Sequence, residues 1–154
     1  NYGNIDLTVT YKNGEKNGVS KSYQENGKLK EIGLYENDFR TGAWKLYNGN
    51  GNLYEIGRFN EYDERIGEWK QYHKNGELKS IGEYYDEVQN GEWKLYYTNR
   101  QLNAIGKFEN GLKTDKWSYF YENGKLSQIG GYEKGKLVGE WKSYHPNGQL
   151  AIIN

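Results

Sequence analysis

The sequence predicts an all-β fold: an elongated, single-sheet antiparallel β-meander of about six two-stranded repeats, twisted and curled. Three observations predict it. The only five tryptophans, Trp44, Trp69, Trp93, Trp117 and Trp141, stand 25, 24, 24 and 24 residues apart, so one supersecondary unit is copied along the chain. Each unit holds two short runs rich in aromatic and β-branched residues, separated by Asn-Gly turn signals. No stretch of the chain shows helical periodicity.

The composition fits such an array and no thick core. The chain is 34% hydrophobic and 27% charged with mean hydropathy −1.12, which alone suggests a chain too polar to order. Sixteen Tyr, five Trp and four Phe in 154 residues reverse that reading, because aromatic rings bury large surfaces while their polar ends stay wet. Twenty-one Gly and one Pro suit many tight turns.

Aligned on the glycine two residues before each Trp, the units read Gly-Glu-Trp-Lys-x-Tyr-x-x-Asn-Gly-x-Leu-x-x-Ile-Gly-x-Tyr. The boundaries are a half unit over 1–17 and repeats over 18–41, 42–66, 67–90, 91–114, 115–138 and 139–154, all in one domain. Ser20 replaces Trp in the first repeat and Asp115 replaces Gly in the fifth. The half unit plus six repeats gives about thirteen strands, or nearly 60 Å of sheet at roughly 4.8 Å per strand.

Pro146 before Asn147-Gly148 suits the second position of a type I turn whose Gly is left-handed, which makes the first loop three residues long. Carried along regular strands, that register sets Tyr47 opposite Leu53 and Trp44 opposite Ile56, with Trp69 opposite Ile81, Trp93 opposite Ile105 and Trp117 opposite Ile129. Asn99-Arg100 takes the place of Asn-Gly, so strain or an altered turn is expected there. The second loop is less regular, and the loop after Phe59 is one residue longer. One long edge of the sheet is therefore regular and the other variable.

These residues resemble the MORN repeat, specifically its bacterial variant form, in which Gly-x-Trp-x-x-Tyr-x-x-Asn-Gly-x-Leu and a following Gly-x-Tyr recur at this spacing. The resemblance covers nearly the whole chain. It implies an elongated scaffold for protein–protein interaction and assembly, with contact to phospholipid as a further option. It also implies an antitoxin or immunity role for some bacterial members, neutralising a cognate toxin.

The residues themselves offer no catalytic, cofactor-binding or metal-ligating set, so no enzyme is expected. His73 and His145 lie three repeats apart, roughly 29 Å, and cannot share a metal or a triad; both read as solvated strand-end residues. No serine sits in a nucleophile elbow, no helix follows the glycines as a phosphate loop requires, and no carboxylate pair is selected by spacing.

Lys+Arg and Asp+Glu both total 21, so no net field draws the chain to nucleic acid or an anionic bilayer. Lys45, Lys70, Lys94 and Lys142 form a column beside Glu68, Glu92 and Glu140. It reads as a Glu–Lys ladder, or as a basic stripe for lipid if unpaired. The tryptophans read as a structural spine, each packed on its cross-strand Ile and on the next Trp, or as an exposed aromatic platform.

The variable edge is the candidate partner site. Phe39 and Val88 supply apolar anchors, with Leu112 matching them. Glu61, Asp63, Glu64, Asp86 and Glu87, together with Asp38, supply negative charge that suits a basic protein such as a nuclease toxin. Homo-oligomerisation through open sheet edges is a second expectation. The chain has no Cys and no Met, so Asn1 is expected to follow a removed upstream segment, and cytoplasmic, envelope and secreted locations all remain compatible.

Overall fold

The computed structural model describes residues 6–153; expectations placed on Asn1 and Asn154 lie outside them. The strands are β1 Leu7–Thr8, β2 Tyr11–Lys12, β3 Glu15–Lys16, β4 Gly18–Tyr23, β5 Leu29–Glu36, β6 Phe39–Tyr47, β7 Leu53–Phe59 and β8 Arg65–Tyr72. They continue as β9 Leu78–Tyr85, β10 Val88–Tyr96, β11 Leu102–Glu109, β12 Leu112–Phe120, β13 Leu126–Glu133, β14 Lys136–Tyr144 and β15 Leu150–Ile153. β1 and β4 to β15 form one 13-stranded antiparallel meander, not closed into a barrel; β2 and β3 pair as a separate hairpin.

The first turn is the three-residue loop expected from Pro146. In the second repeat the Gly51 N–H donates to the Asn48 carbonyl at 2.8 Å, the Asn48 N–H donates to the Asn52 carbonyl at 2.9 Å, and Gly51 is left-handed at φ 82°. Tyr47 accordingly faces Leu53, as do Tyr72 and Leu78, Tyr96 and Leu102, and Phe120 and Leu126.

The expected pairing of Trp with Ile is overturned. Leu46 pairs with Glu55 while Tyr47 pairs with Leu53, so Tyr54 is an extra residue, a β-bulge that shifts the register by one. Beyond it Lys45 faces Ile56 and Trp44 faces Gly57, and the same shift recurs in each later hairpin with these partners, setting Trp69 against Gly82, Trp93 against Gly106 and Trp117 against Gly130.

A second bulge seats the tryptophan. Between Ile56–Lys70 and Arg58–Ile66, Gly57 alone stands against Gly67, Glu68 and Trp69. The chain turns through left-handed Gly67, φ 64°, and the Trp69 indole folds back over Gly57. Its N–H donates to the Arg58 carbonyl at 3.2 Å, the residue after the glycine, where the ladder is interrupted. A Cβ on Gly57 would lie 2.0 Å from the indole, so only glycine fits beneath the ring. Asp115 takes the left-handed position of Gly67 at φ 56°.

Nor do the tryptophans pack on one another. Tyr35, Trp44, Phe59, Trp69, Tyr84, Trp93, Phe108, Trp117, Tyr132 and Trp141 form a single file of edge-on rings, with centroids 5.1 to 6.2 Å apart. A Tyr or Phe from the strand between separates each pair of tryptophans, which satisfies the ring quadrupoles in a way stacked indoles would not. Trp44, Trp69, Trp93 and Trp117 are buried and Trp141 half-buried. At roughly 150–250 Å² per ring, this file is the core of a sheet one layer thick. Ser20, in the place of a Trp, is also buried and faces Gly33.

Candidate binding surfaces

The two sheet faces differ in chemistry. On the face away from the rings, Lys70 pairs with Glu68 at 2.8 Å, Lys94 with Glu92 at 3.1 Å and Lys142 with Glu140 at 2.9 Å. Each acid holds the ammonium pKa above its ordinary value, first through the hydrogen bond and then through charge. From Lys70 onward the lysine column is thus a Glu–Lys ladder over the half-buried isoleucines, whereas Lys45 has Ala43 two residues back and no ion pair among the described residues.

On the ring face, cations lie over the aromatics: Lys16 over Tyr35 at 4.9 Å, Arg40 over Phe59 at 3.9 Å, Arg65 over Tyr84 at 5.0 Å and Lys113 over Trp117 at 4.3 Å. Gln89 replaces the cation between Arg65 and Lys113. Burial pushes the Tyr84 hydroxyl up, against the pull of Arg65. This column follows the apolar edge residues by one position, a signal readable at Phe39-Arg40, Val88-Gln89 and Leu112-Lys113.

The two long edges also divide. On the regular edge, Asn side chains tie one repeat to the next: Asn26 Nδ2 donates to the Gly49 carbonyl, Asn75 to Thr98, Asn99 to Glu122 and Asn123 to Pro146, at 2.8 to 3.2 Å. Arg100 keeps the turn, left-handed at φ 70°, and grips Glu77 with two bonds of 2.7 Å. Strain, not an altered turn, is the outcome there. Tyr97 and Tyr121 hydroxyls donate to the Phe120 and Tyr144 carbonyls at 2.7 Å. His73 does the same job: its Nε2 meets the Tyr96 carbonyl at 2.9 Å, so this histidine is a half-buried tie between repeats, not a solvated one. His145 is exposed.

At the variable edge, the two-residue turns hold Asn37, Asp38, Asp86 and Glu87 left-handed. The extra residue after Phe59 produces a three-residue loop instead, with Asp63 left-handed at φ 64°. Most of the acids nominated for a partner are spent within the molecule. Asp63 Oδ1 meets Arg40 Nε at 2.6 Å, Glu87 Oε2 meets Arg65 Nε at 3.3 Å, Glu64 accepts from Asn60 Nδ2 at 2.9 Å, and Asp38 accepts from the Lys16 N–H at 2.8 Å. Glu61 and Asp86 stay exposed without an ion pair among the described residues; the Tyr62 hydroxyl, hydrogen-bonded to Glu61, is raised by it. Phe39 is 50% exposed and Val88 39%, alongside Tyr62, Tyr85 and Leu112.

The model of the MORN repeat variant matches residues 16–37, 40–61, 65–86, 116–134 and 137–153, about two thirds of the chain. The unmatched stretch contains Arg100, yet β10 and β11 repeat the same pairing there. No curated protein matches the sequence. A solved structure titled "Crystal structure of GtfA/B complex bound to UDP and GlcNAc" aligns at 12% identity and a TM-score of 0.32, over 81% of this chain and 24% of that one. With a repeat model matching five segments of a continuous meander, the chain belongs to the MORN repeat variant family, whose repeats are modules for protein or membrane interaction.

Proposed function

We propose that the chain is a non-enzymatic scaffold that binds another protein through its variable loop edge. The observation that carries this reading is the row Phe39, Tyr62, Tyr85, Val88 and Leu112, all exposed at one edge of a sheet whose other large aromatics are mostly covered. Apolar anchors rimmed by unspent charge suit a protein interface. Glu61 and Asp86 lack an ion pair at that edge, so the partner surface it fits is basic, and a toxin neutralised by an immunity-type repeat protein is the specific partner class.

Membrane binding is the weaker reading, because three of the four lysines that would meet lipid headgroups, Lys70, Lys94 and Lys142, are paired with Glu68, Glu92 and Glu140. The test is pull-down from source-cell lysate with the wild type and with Phe39→Ser, Glu61→Lys and Asp86→Asn combined. These positions are chosen because Asp63, Glu64 and Glu87 hold the fold. Partners lost with the triple variant support the edge; an unchanged partner list removes it. Salt-sensitive flotation with anionic vesicles would instead favour the membrane.

A further inference from the structure

Two columns on the ring face change character at the same place. One runs Glu31, Glu55, Ser80, Ala104, Gln128, each two residues before the glycine that seats an indole; the other runs Arg40, Arg65, Gln89, Lys113, Leu137 on the strand that follows. In the second repeat the first column supplies a carboxylate, buried at 8% exposure. Glu55 Oε1 accepts from Gln71 Nε2 at 3.1 Å and stands 3.6 Å from Arg65 Nη1. In the next two units the acid is missing. Ser80 and Ala104 are small and buried, and both line a cleft of 220 Å³ together with Trp93, Leu95, Gln89 and Lys113.

At Lys113 the cation stands without the acid. Lys113 has no carboxylate partner among the described residues; its Nζ rests on the Tyr119 hydroxyl at 2.8 Å and over the Trp117 ring. No acidic side chain lines the cleft, while Lys79 and Lys113 both do. The second repeat shows which group belongs there: a carboxylate on a short aliphatic stem, as Glu55 places it beside Arg65. The geometry points to a docking subsite for a glutamate side chain of a partner protein, inserted over Ala104 and Leu95 with its carboxylate on Lys113.

The size of the cleft selects a side chain over a free metabolite. Sites that enclose small molecules hold roughly 300–1,000 Å³, whereas 220 Å³ takes one side chain of an extended segment and leaves the segment outside. A buried carboxylate also discriminates sharply, since its uncharged isostere forfeits the charge-assisted bond. This subsite lies on the ring face and is independent of the variable-edge reading.

The experiment is an amide-resolved NMR titration of the full chain with the blocked peptide acetyl-Gly-Leu-Glu-Leu-Gly-amide. Saturable shifts are expected at the Ser80 and Ala104 amides and the Trp93 indole N–H, with the Gln-for-Glu peptide binding at least about fivefold more weakly. Two variants close the cleft from within: Ala104→Glu gives Lys113 its own acid, and Ser80→Glu with Gln89→Arg copies the Glu55–Arg65 pair. Each is expected to weaken binding about tenfold or more while keeping the dispersed indole signals of the folded chain. Should Ala104→Glu fail to fold, the double variant decides, because its pair already exists one repeat away. Equal binding of the Glu and Gln peptides, shifts confined to other residues, absence of shifts, or undiminished binding by the closed variant overturns the proposal. Butyrate binding as tightly as the peptide would overturn the partner segment in favour of a free carboxylate.

Discussion

The two faces of this sheet share every strand yet manage charge in opposite ways. On the lysine face, Lys70, Lys94 and Lys142 each pair with an acid two residues back on the same strand, and both groups stay well exposed, 38% and 56% for Lys70 and Glu68. On the ring face, Arg40, Arg65 and Lys113 lie across aromatic rings, and Glu55 is buried among them. A single layer has no second sheet to cover its core. The ring face therefore covers itself, with indoles folded onto glycines and cations laid over the rings. The lysine face has only half-buried isoleucines to shield and leaves the rest to water.

If that asymmetry is right, the largest loss comes from removing a ring. Trp69→Ala deletes a buried indole that touches Phe59 and Tyr84 and caps the Arg58 carbonyl, and should cost about 3–5 kcal/mol in chemical denaturation. A loss below about 1 kcal/mol would mean the file of rings is not the core. In a repeat array the effect should also be local, with hydrogen exchange quickening first in β7 to β9.

Gly57→Ala tests the seat beneath that ring. The new methyl would sit 2.0 Å from the fully buried indole, and the indole cannot leave without abandoning its carbonyl. Overpacking of this kind should cost about 3 kcal/mol, near the upper end of its usual range. The control is Gly49→Ala in the adjacent turn, where no atom lies within 4 Å and φ is not left-handed; it should be close to neutral. Similar losses at both positions would refute the close-approach account.

The repeats, the three-residue turns, the Tyr–Leu pairs and the Glu–Lys ladder were legible in the sequence because they depend on local spacing. The Trp–Ile pairing was not, since one extra residue, Tyr54, reverses which side chains meet, and period counting carries no signal for a bulge. There was one indirect sign. Gly33, Gly57, Gly82, Gly106 and Gly130 fall inside strands, where glycine marks a bulge or a close approach. The acidic edge was legible as composition but not as pairing. Spacing could not show that Asp63 reaches Arg40 or Glu87 reaches Arg65, since these residues lie a full repeat apart.

Arg100 extends the comparison to the regular edge. Its left-handed backbone favours glycine, whereas its side chain holds Glu77. Arg100→Ala keeps the strain and loses the ion pair; Arg100→Gly loses the pair and relieves the strain. The glycine variant should therefore be the more stable of the two by about 1 kcal/mol. The hydrogen bonds from Arg100 also hold the Glu77 carboxyl below its usual range. A depressed carboxyl pKa stabilises the fold above the unfolded value and loses that contribution as pH falls through the folded one. The Glu77 titration followed by NMR should move back up in both variants, and an unmoved midpoint would mean the ion pair does not form in solution.

The smallest contrast sets one substitution on both faces. Glu55→Gln removes the negative charge facing Arg65 from a buried site, and about 1–2 kcal/mol should be lost as Glu87 becomes the one acid beside the guanidinium. Glu68→Gln removes an exposed partner of Lys70, and the change should stay below about 0.5 kcal/mol. Salt sharpens the distinction, because exposed charges are screened over a Debye length that shrinks to about 3 Å at 1 M, whereas buried charges are screened much less. Raising salt should therefore erase the Glu68→Gln difference and leave most of the Glu55→Gln difference in place. Equal losses at low salt that vanish together at high salt would show that Glu55 is as wet as Glu68, and that the two faces treat charge alike.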